Sequence, residues 1–205
     1  AIKPHMALLW PIFFAVTGRW RSFGAAALST GAFVLLGGLV FGFDSYARFF
    51  DNLAATQDLI TGQRVATPAY ASLYGNLIGL GVTQPLAMTF HATSTLAALL
   101  AALFVFRLGD TGAQGAALCA GTLLVLPYSF FYDFTLLAGG AALLGAPRSR
   151  FETIAFVLAW SAGLSLVLGY VLQLPLGAIA AWCVLISAVL RARSAAAHPA
   201  PAQRT

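Results

Sequence analysis

The sequence predicts an all-α fold, a polytopic bundle of about seven transmembrane helices with one or two interfacial helices on its outer face. Hydrophobic residues make up 60% of the chain and charged residues only 8%, and the mean hydropathy is +0.86. Because about a quarter of the residues in a soluble domain are charged, this composition excludes a water-soluble core. Uncharged stretches of about 17–23 residues match the length that crosses about 30 Å of hydrocarbon.

The predicted spans are separated by connections that carry prolines, glycines and charges. In chain order they are Met6–Thr17, Phe23–Gly42, Gln84–Phe106, Gly112–Leu126, Phe134–Gly145, Thr153–Val171 and Leu174–Leu190. Pro11 interrupts the first span and Pro127 ends the fourth, since proline lacks a backbone N–H. Residues 1–190 therefore form one predicted transmembrane helical domain. The Ala- and Pro-rich residues 191–205 have too few apolar anchors to order and are predicted to be a disordered cytoplasmic tail.

Basic residues fall on alternate connections and set the predicted orientation. Of the eleven basic residues, eight lie on one side and three on the other. The eight are Arg19, Arg21, Arg107, Arg148, Arg150, Arg191, Arg193 and Arg204, and the three are Lys3, Arg48 and Arg64. Because cytoplasmic connections carry the excess of Lys and Arg, the richer side is predicted to be cytoplasmic. Lys3, the connection 43–83 and the Tyr128–Asp133 turn are then outside, and the carboxyl terminus is inside.

The outer connection 43–83 is too polar to span the membrane, yet its apolar residues repeat with helical spacing. One stripe is Tyr46, Phe49, Phe50 and Leu53, and a second, after Pro68, is Tyr70, Leu73, Tyr74, Leu77 and Ile78. This spacing predicts two amphipathic helices, and Gly75, Gly79 and Gly81 keep the second one short or bent. Such helices either lie at the lipid surface, where they suit a lipid-linked substrate, or simply cap the bundle.

Lys3 stands outside directly before a span, against the distribution of most other basic residues. An ammonium at this place is suited to hold a phosphate at the outer surface, because the low dielectric nearby strengthens the pair. The alternative is an ordinary lysine that snorkels from a helix end to the interface. His5 has no second ligand near it in the sequence, so it predicts no metal site.

The turn from Pro127 to Asp133 places a carboxylate among aromatic residues between two apolar spans. A carboxylate so close to hydrocarbon is costly and needs a partner or a role. Asp133 is suited to accept hydrogen bonds from sugar hydroxyls, and Tyr128 and Tyr132 offer stacking surfaces and donors. The alternative is an aromatic belt at the membrane surface with an aspartate that caps the turn.

Several function classes lack their signatures in this sequence. There is no Ser/His/Asp series, no phosphate-binding glycine loop and no pair of metal ligands, so neither a metal nor a cofactor is predicted. The basic residues form no continuous stripe, which argues against a nucleic-acid partner. A transporter or flippase-like unit is the alternative to an enzyme. No ionisable residue falls at the centre of a predicted span and no internal repeat is convincing, which argues against ion-coupled transport.

A series of short motifs resembles the carboxy-terminal half of glycosyltransferase family 87, whose members are multi-pass membrane enzymes of the GT-C architecture. The motifs are Lys3-Pro4-x-x-x-Leu8-Leu9, Gly18-Arg19-Trp20-Arg21, Thr67-Pro68-Ala69-Tyr70-Ala71-Ser72-Leu73-Tyr74 and Pro127-Tyr128-x-x-x-Tyr132-Asp133. The resemblance extends from about Lys3 to Leu144, and the order and spacing of the motifs carry it. The family includes the actinobacterial mannosyltransferases that use polyprenol-phosphate mannose.

This resemblance implies transfer of a hexose, often mannose, from a polyprenyl phosphate to a lipid or glycan acceptor at the outer face of a bacterial inner membrane. Lys3 is then a candidate contact for the carrier phosphate, and Tyr128, Tyr132 and Asp133 are candidates to line the sugar or acceptor site. In such enzymes the general base is an aspartate in the first outer loop, which this chain lacks. The chain is therefore expected to be a fragment whose catalytic residue lies outside it, or a non-catalytic remnant.

Overall fold

The computed structural model describes residues 3–61, 72–161, 164, 171 and 176–197, and these form nine α-helices and two short 3-10 turns. The helices are α1 Leu9–Val16, α2 Trp20–Phe41, α3 Asp44–Thr61, α4 Leu73–Gly79, α5 Gln84–Leu108, α6 Thr111–Val125, α7 Thr135–Leu144, α8 Arg150–Ser161 and α9 Leu176–Ala197. The 3-10 turns are Pro4–Ala7 and Phe131–Phe134. The all-α bundle predicted from the sequence is confirmed.

Three of the described helices are long and apolar enough to cross a membrane: α2, α5 and α9. The first, fourth and fifth predicted spans correspond to shorter apolar helices, of which α6 has 15 residues and α7 has 10. The sixth predicted span begins as α8, and most of its continuation to Val171 lies outside the described residues.

Helix α6 lies at the centre of the bundle, against α5, α7 and α9. Its buried face is rich in alanine, and Ala113, Ala116, Ala117 and Ala120 are each at most 1% exposed. Small side chains let neighbouring helices approach closely, which is how helices pack without a hydrophobic driving force inside a membrane. At Gly140 of α7, an added Cβ would lie only 2.8 Å from the Cβ of Cys119, so glycine is required for this approach.

Helices α2 and α3 lie at the edge of this core. Within α2, Gly38 is the only buried residue, and most of its large apolar side chains are exposed. Gly42, with φ of 82°, turns the chain into α3, where a left-handed conformation favours glycine. The predicted first amphipathic helix is confirmed as α3, and the Tyr46 hydroxyl donates a hydrogen bond to the Val34 carbonyl of α2 at 2.5 Å.

Helix α4 is the described part of the second predicted amphipathic helix. It is short, as its glycines predict, and Gly81 follows it with φ of 81°. Tyr74 is only 3% exposed because α4 packs on α5, so this face of α4 covers the bundle rather than a lipid surface. Tyr70, the first residue of the stripe, lies outside the described residues.

The structure corrects the predicted disordered tail at its start. Helix α9 continues through Arg191 to Ala197, and only residues 198–205 of the predicted tail lie outside the description. Arg191 is 6% exposed and donates two hydrogen bonds to Glu152, from Nε to Oε1 at 2.9 Å and from Nη2 to Oε2 at 2.7 Å. It also donates to the carbonyls of Leu144 and Ala146. These partners, rather than an aqueous surface, hold Arg191 and extend the helix.

Candidate functional site

Lys3 and Asp133, which the distribution of arginines predicts to lie on the same side of the membrane, form an ion pair with Nζ 2.5 Å from Oδ1. The second carboxylate oxygen of Asp133, Oδ2, accepts the backbone N–H of Phe130 at 2.9 Å. Asp133 therefore closes its own 3-10 turn with one oxygen and holds Lys3 with the other. The turn-capping aspartate considered as an alternative is present, and it also contacts the candidate phosphate ligand.

Aromatic rings complete the surroundings of the Lys3 ammonium. Nζ lies 4.1 Å from the ring centroid of Tyr132 and 5.7 Å from that of Phe130. These two rings are stacked on each other, with centroids 5.6 Å apart and an interplanar angle of 6°. A cation over an aromatic face is stabilised by the ring quadrupole. Lys3, Tyr132 and Asp133 thus form one cluster, which we call the Lys3 cluster.

Packing on both sides of the Lys3 cluster fixes its position. Lys3 stands directly before the 3-10 turn Pro4–Ala7, and α1 then enters the core through Leu9 and Phe13, which are 2% and 5% exposed. The ring of Phe13 meets that of Phe106 in α5 at 5.0 Å. On the other side, Phe134 and Leu137, both at most 1% exposed, anchor the turn that carries Asp133.

The two charges of the cluster differ in their access to solvent. The Lys3 side chain is 30% exposed and that of Asp133 is 6% exposed. An ammonium has three N–H donors, and the structure uses one of them for the Asp133 carboxylate. An anion that approaches from outside therefore meets Lys3 first. The pair also supplies the partner that a carboxylate near hydrocarbon requires.

Tyr128, the fourth residue proposed from the sequence, belongs to a different cluster. Its ring lies edge-on to Tyr74 at 5.6 Å, and Tyr74 in turn lies 6.5 Å from the imidazole of His91. Burial, followed by the effect of Tyr128, raises the pKa of the Tyr74 phenol, so it stays neutral. The turn from Pro127 to Asp133 thus presents two different surfaces, one charged and one neutral.

His91 and Ser129 are buried polar residues that sequence reasoning did not single out. They are 4% and 0% exposed. A histidine among apolar residues in a predicted span is the signal that could have identified the first of them. Among the described residues there is no group of three or more His, Cys, Asp or Glu side chains able to hold a metal ion.

The protonation of Lys3 predicts how the ion pair depends on pH. Burial works against the charged ammonium, but hydrogen bonds and charge from Asp133 and Tyr132 outweigh it and raise the pKa of Lys3 above its usual 10.5. A raised pKa means that the pair stabilises the fold fully below the usual value and that this contribution is lost as pH rises through the folded value. We expect the difference in thermal stability between the parent and Lys3→Met to be constant from neutral pH to about pH 10 and to shrink only as the pH rises beyond the usual lysine pKa. A difference that already declines below pH 9 would contradict this expectation.

Comparison with known proteins gives one match. The model of glycosyltransferase family 87 matches residues 1–127. The matched region contains Lys3 and ends at Pro127, directly before the turn that carries Tyr128, Tyr132 and Asp133. No curated protein and no solved structure matches the chain.

Proposed function

This chain belongs to glycosyltransferase family 87, and from that premise we propose that it takes part in transferring a hexose, specifically mannose, from a polyprenyl-phosphate donor to a lipid or glycan acceptor. The family is one of membrane glycosyltransferases, in keeping with the apolar helices of the bundle. The observation that carries the proposal is the Lys3 cluster, where a partly exposed ammonium, a carboxylate and an aromatic ring converge at the outer end of the first span.

Lys3 is the proposed contact for the phosphate of the donor. Its ammonium keeps N–H donors beyond the one that Asp133 accepts, and its side chain is 30% exposed. A charge-assisted hydrogen bond to a phosphate oxygen is roughly twice as strong as a neutral one. The membrane surface, where the lipid anchor holds the donor, is also a place of low dielectric that strengthens the attraction.

Asp133 and Tyr132 are the proposed contacts for the sugar. A phosphate takes N–H donors of Lys3 that Asp133 leaves free. Oδ1 of Asp133 has a second lone pair that can accept a hydrogen bond from a sugar hydroxyl, while Oδ2 keeps its bond to the Phe130 N–H. The Tyr132 ring, 47% exposed, offers an apolar face to the sugar ring. We assign donor binding to these residues and assign the general base to none of them.

The orientation follows from the distribution of arginines. With the arginine-rich connections in the cytoplasm, the Lys3 cluster faces the outer side of a bacterial inner membrane and the carboxyl terminus faces the cytoplasm. A lipid-linked sugar is then the donor within reach, since nucleotide sugars are cytoplasmic. Membership of a glycosyltransferase family also favours this function over the transporter or flippase-like alternative.

Donor choice tests the proposal. The full-length protein that contains this chain, purified in lipid nanodiscs, is offered polyprenyl-phosphate mannose, polyprenyl-phosphate glucose or GDP-mannose in parallel, each with labelled sugar, and a membrane lipid extract is the acceptor. We expect label to reach the extract from polyprenyl-phosphate mannose and not from GDP-mannose. Transfer from GDP-mannose alone would contradict the lipid-linked donor, and preference for the glucose donor would contradict mannose. Transfer from none of the three would contradict the function as a whole.

A further inference from the structure

Two buried polar atoms near Tyr128 have no hydrogen-bonding partner among the residues that the structure describes: His91 Nδ1 and Ser129 Oγ. A buried polar group without a partner costs about 1–3 kcal/mol, and native proteins contain few of them. Each such group in a native structure needs an explanation, and a ligand that supplies the missing partner is one. Neither residue belongs to the Lys3 cluster.

The hydrogen bonds of His91 show what kind of partner is missing. Its Nε2 lies 3.3 Å from the Val125 carbonyl and 3.4 Å from the Thr95 hydroxyl. Because the carbonyl can only accept and the Thr95 hydroxyl donates to the Leu124 carbonyl, we assign the hydrogen of the ring to Nε2. Nδ1 of the same neutral ring is then an acceptor and needs a partner that donates. The Ser129 hydroxyl can donate as well as accept. A hydroxyl group can be the partner of either residue, whereas a phosphate oxygen, which only accepts, leaves Nδ1 unsatisfied.

Two uncharged aromatic rings, those of Tyr74 and Tyr128, connect His91 to the turn that carries Ser129. Val125, which holds His91, ends α6, and Ser129 follows in the turn that begins there. Tyr74 lies against both His91 and Tyr128, the residue before Ser129. A region made of neutral hydroxyls, imidazole and phenol rings resembles carbohydrate-binding surfaces in its chemistry, since aromatic faces stack on sugar rings and hydroxyl groups pair with polar side chains.

We propose that His91, Ser129, Tyr74 and Tyr128 form a binding site for the uncharged sugar of the acceptor, separate from the donor contacts of the Lys3 cluster. Asp133 lies in the same turn as Ser129, so acceptor and donor sugars are bound at the two ends of one short segment. The identity of the ligand as an acceptor rests on the proposed function, but its class, a neutral polyol, rests on the hydrogen-bonding groups alone.

Tyr74 closes this acceptor site. Its 3% exposure and that of His91, 4%, mean that the phenol ring must move for a ligand to reach Nδ1. Tyr74 belongs to the short helix α4, whose preceding residue Ser72 donates a hydrogen bond to the Pro127 carbonyl at 2.5 Å. This contact holds α4 beside the turn that carries Tyr128 and Ser129.

The test compares two buried serines. Ser129 and Ser187 are both 0% exposed, but Ser187 Oγ donates to the Cys183 carbonyl at 2.8 Å whereas Ser129 Oγ has no partner among the described residues. The probe is octyl α-mannoside, and its affinity for the purified protein is measured in nanodiscs without any donor, together with the midpoint of thermal unfolding.

We expect Ser129→Ala to bind the probe about tenfold more weakly and to unfold at the same temperature as the parent or higher, because it removes an unsatisfied group. Ser187→Ala should bind the probe normally and unfold about 2–4 °C lower. His91→Phe, which keeps a ring but no acceptor, should weaken binding as Ser129→Ala does. If Ser129→Ala unfolds at a lower temperature and keeps the parent affinity, the two atoms hold only a buried water and the site is overturned.

Unchanged affinity and stability in Ser129→Ala would also overturn the site. Because the probe is bound without donor, these results do not depend on Lys3. Loss of probe binding in Ser129→Ala in a protein that transfers no sugar would sustain the carbohydrate site while contradicting the proposed enzyme.

Discussion

Lys3→Ala is expected to lower kcat/KM for the lipid-linked donor by about 10–100-fold, the loss of one charge-assisted hydrogen bond to phosphate. The substitution also leaves the Asp133 carboxylate, 6% exposed, without its cation. Transfer from polyprenyl-phosphate mannose in nanodiscs, measured over a range of donor concentrations, checks this prediction. Insertion of the variant into the membrane should be unchanged, because Lys3 precedes the first span.

Asp133→Asn supplies the companion variant. Asparagine keeps an oxygen for the Phe130 N–H but loses the charge that faces Lys3, so transfer should fall while the turn is retained. Asp110→Asn is the matched control, since Asp110 Oδ1 also accepts a backbone N–H, that of Ala113 at 2.7 Å, at the start of α6. The control should transfer at the parent rate. Undiminished turnover in both Lys3→Ala and Asp133→Asn would contradict the assignment of donor binding to the Lys3 cluster.

Glu152→Ala is expected to destabilise the bundle by about 3–5 kcal/mol, the usual cost of removing one partner from a buried ion pair. Both side chains are nearly inaccessible, at 5% for Glu152 and 6% for Arg191. Among the described residues, the variant would leave the buried guanidinium with the Leu144 and Ala146 carbonyls as its hydrogen-bond partners. Helix content of the detergent-solubilised protein during titration with a denaturing detergent measures the change.

Two further variants show whether the unpaired buried charge of Arg191 causes the destabilisation in Glu152→Ala. The double variant Glu152→Leu, Arg191→Met replaces both charges by apolar side chains and should recover most of the lost stability. Arg193→Ala removes an exposed arginine two positions along the same helix and should change stability by no more than about 0.5 kcal/mol. A double variant as unstable as Glu152→Ala would show that packing, rather than an unpaired charge, causes the loss.

The helices and their order were predictable because their causes are local. Long uncharged stretches, ended by proline, glycine or arginine, place α2, α5 and the start of α9 within a few residues of the predicted spans, whereas α9 continues to Ala197, beyond its predicted end at Leu190. The charge distribution predicted that Lys3 and Asp133 lie on the same side, and their contact confirms it. The positions of the helices and the side on which each connection lies can therefore be predicted from composition and from the spacing of helix-breaking residues, without knowing how the helices pack.

Contacts between distant residues were not predictable in the same way. Glu152 and Arg191 are 39 residues apart, and an arginine after an apolar span is indistinguishable in sequence from one that faces water. The separation of Tyr128 from Tyr132 depends on how the turn before α7 folds, which short aromatic sequences do not specify. The burial of Tyr74 depends on α4 meeting α5. In each case the partner, rather than the residue itself, decides the environment.

The exposure of α2 makes this helix sensitive to bilayer thickness. Gly38 is the only α2 residue that the described chain buries, so contacts within the chain do little to fix the helix tilt. A helix of 22 residues is about 33 Å long, slightly more than the hydrocarbon of an average bilayer, about 30 Å. Tilting relieves such hydrophobic mismatch at small cost. Gly18 and Gly42, with φ of 67° and 82°, flank the helix as natural pivots. In a thinner membrane α2 would therefore tilt further from the membrane normal, whereas the alanine-packed centre around α6 would not change.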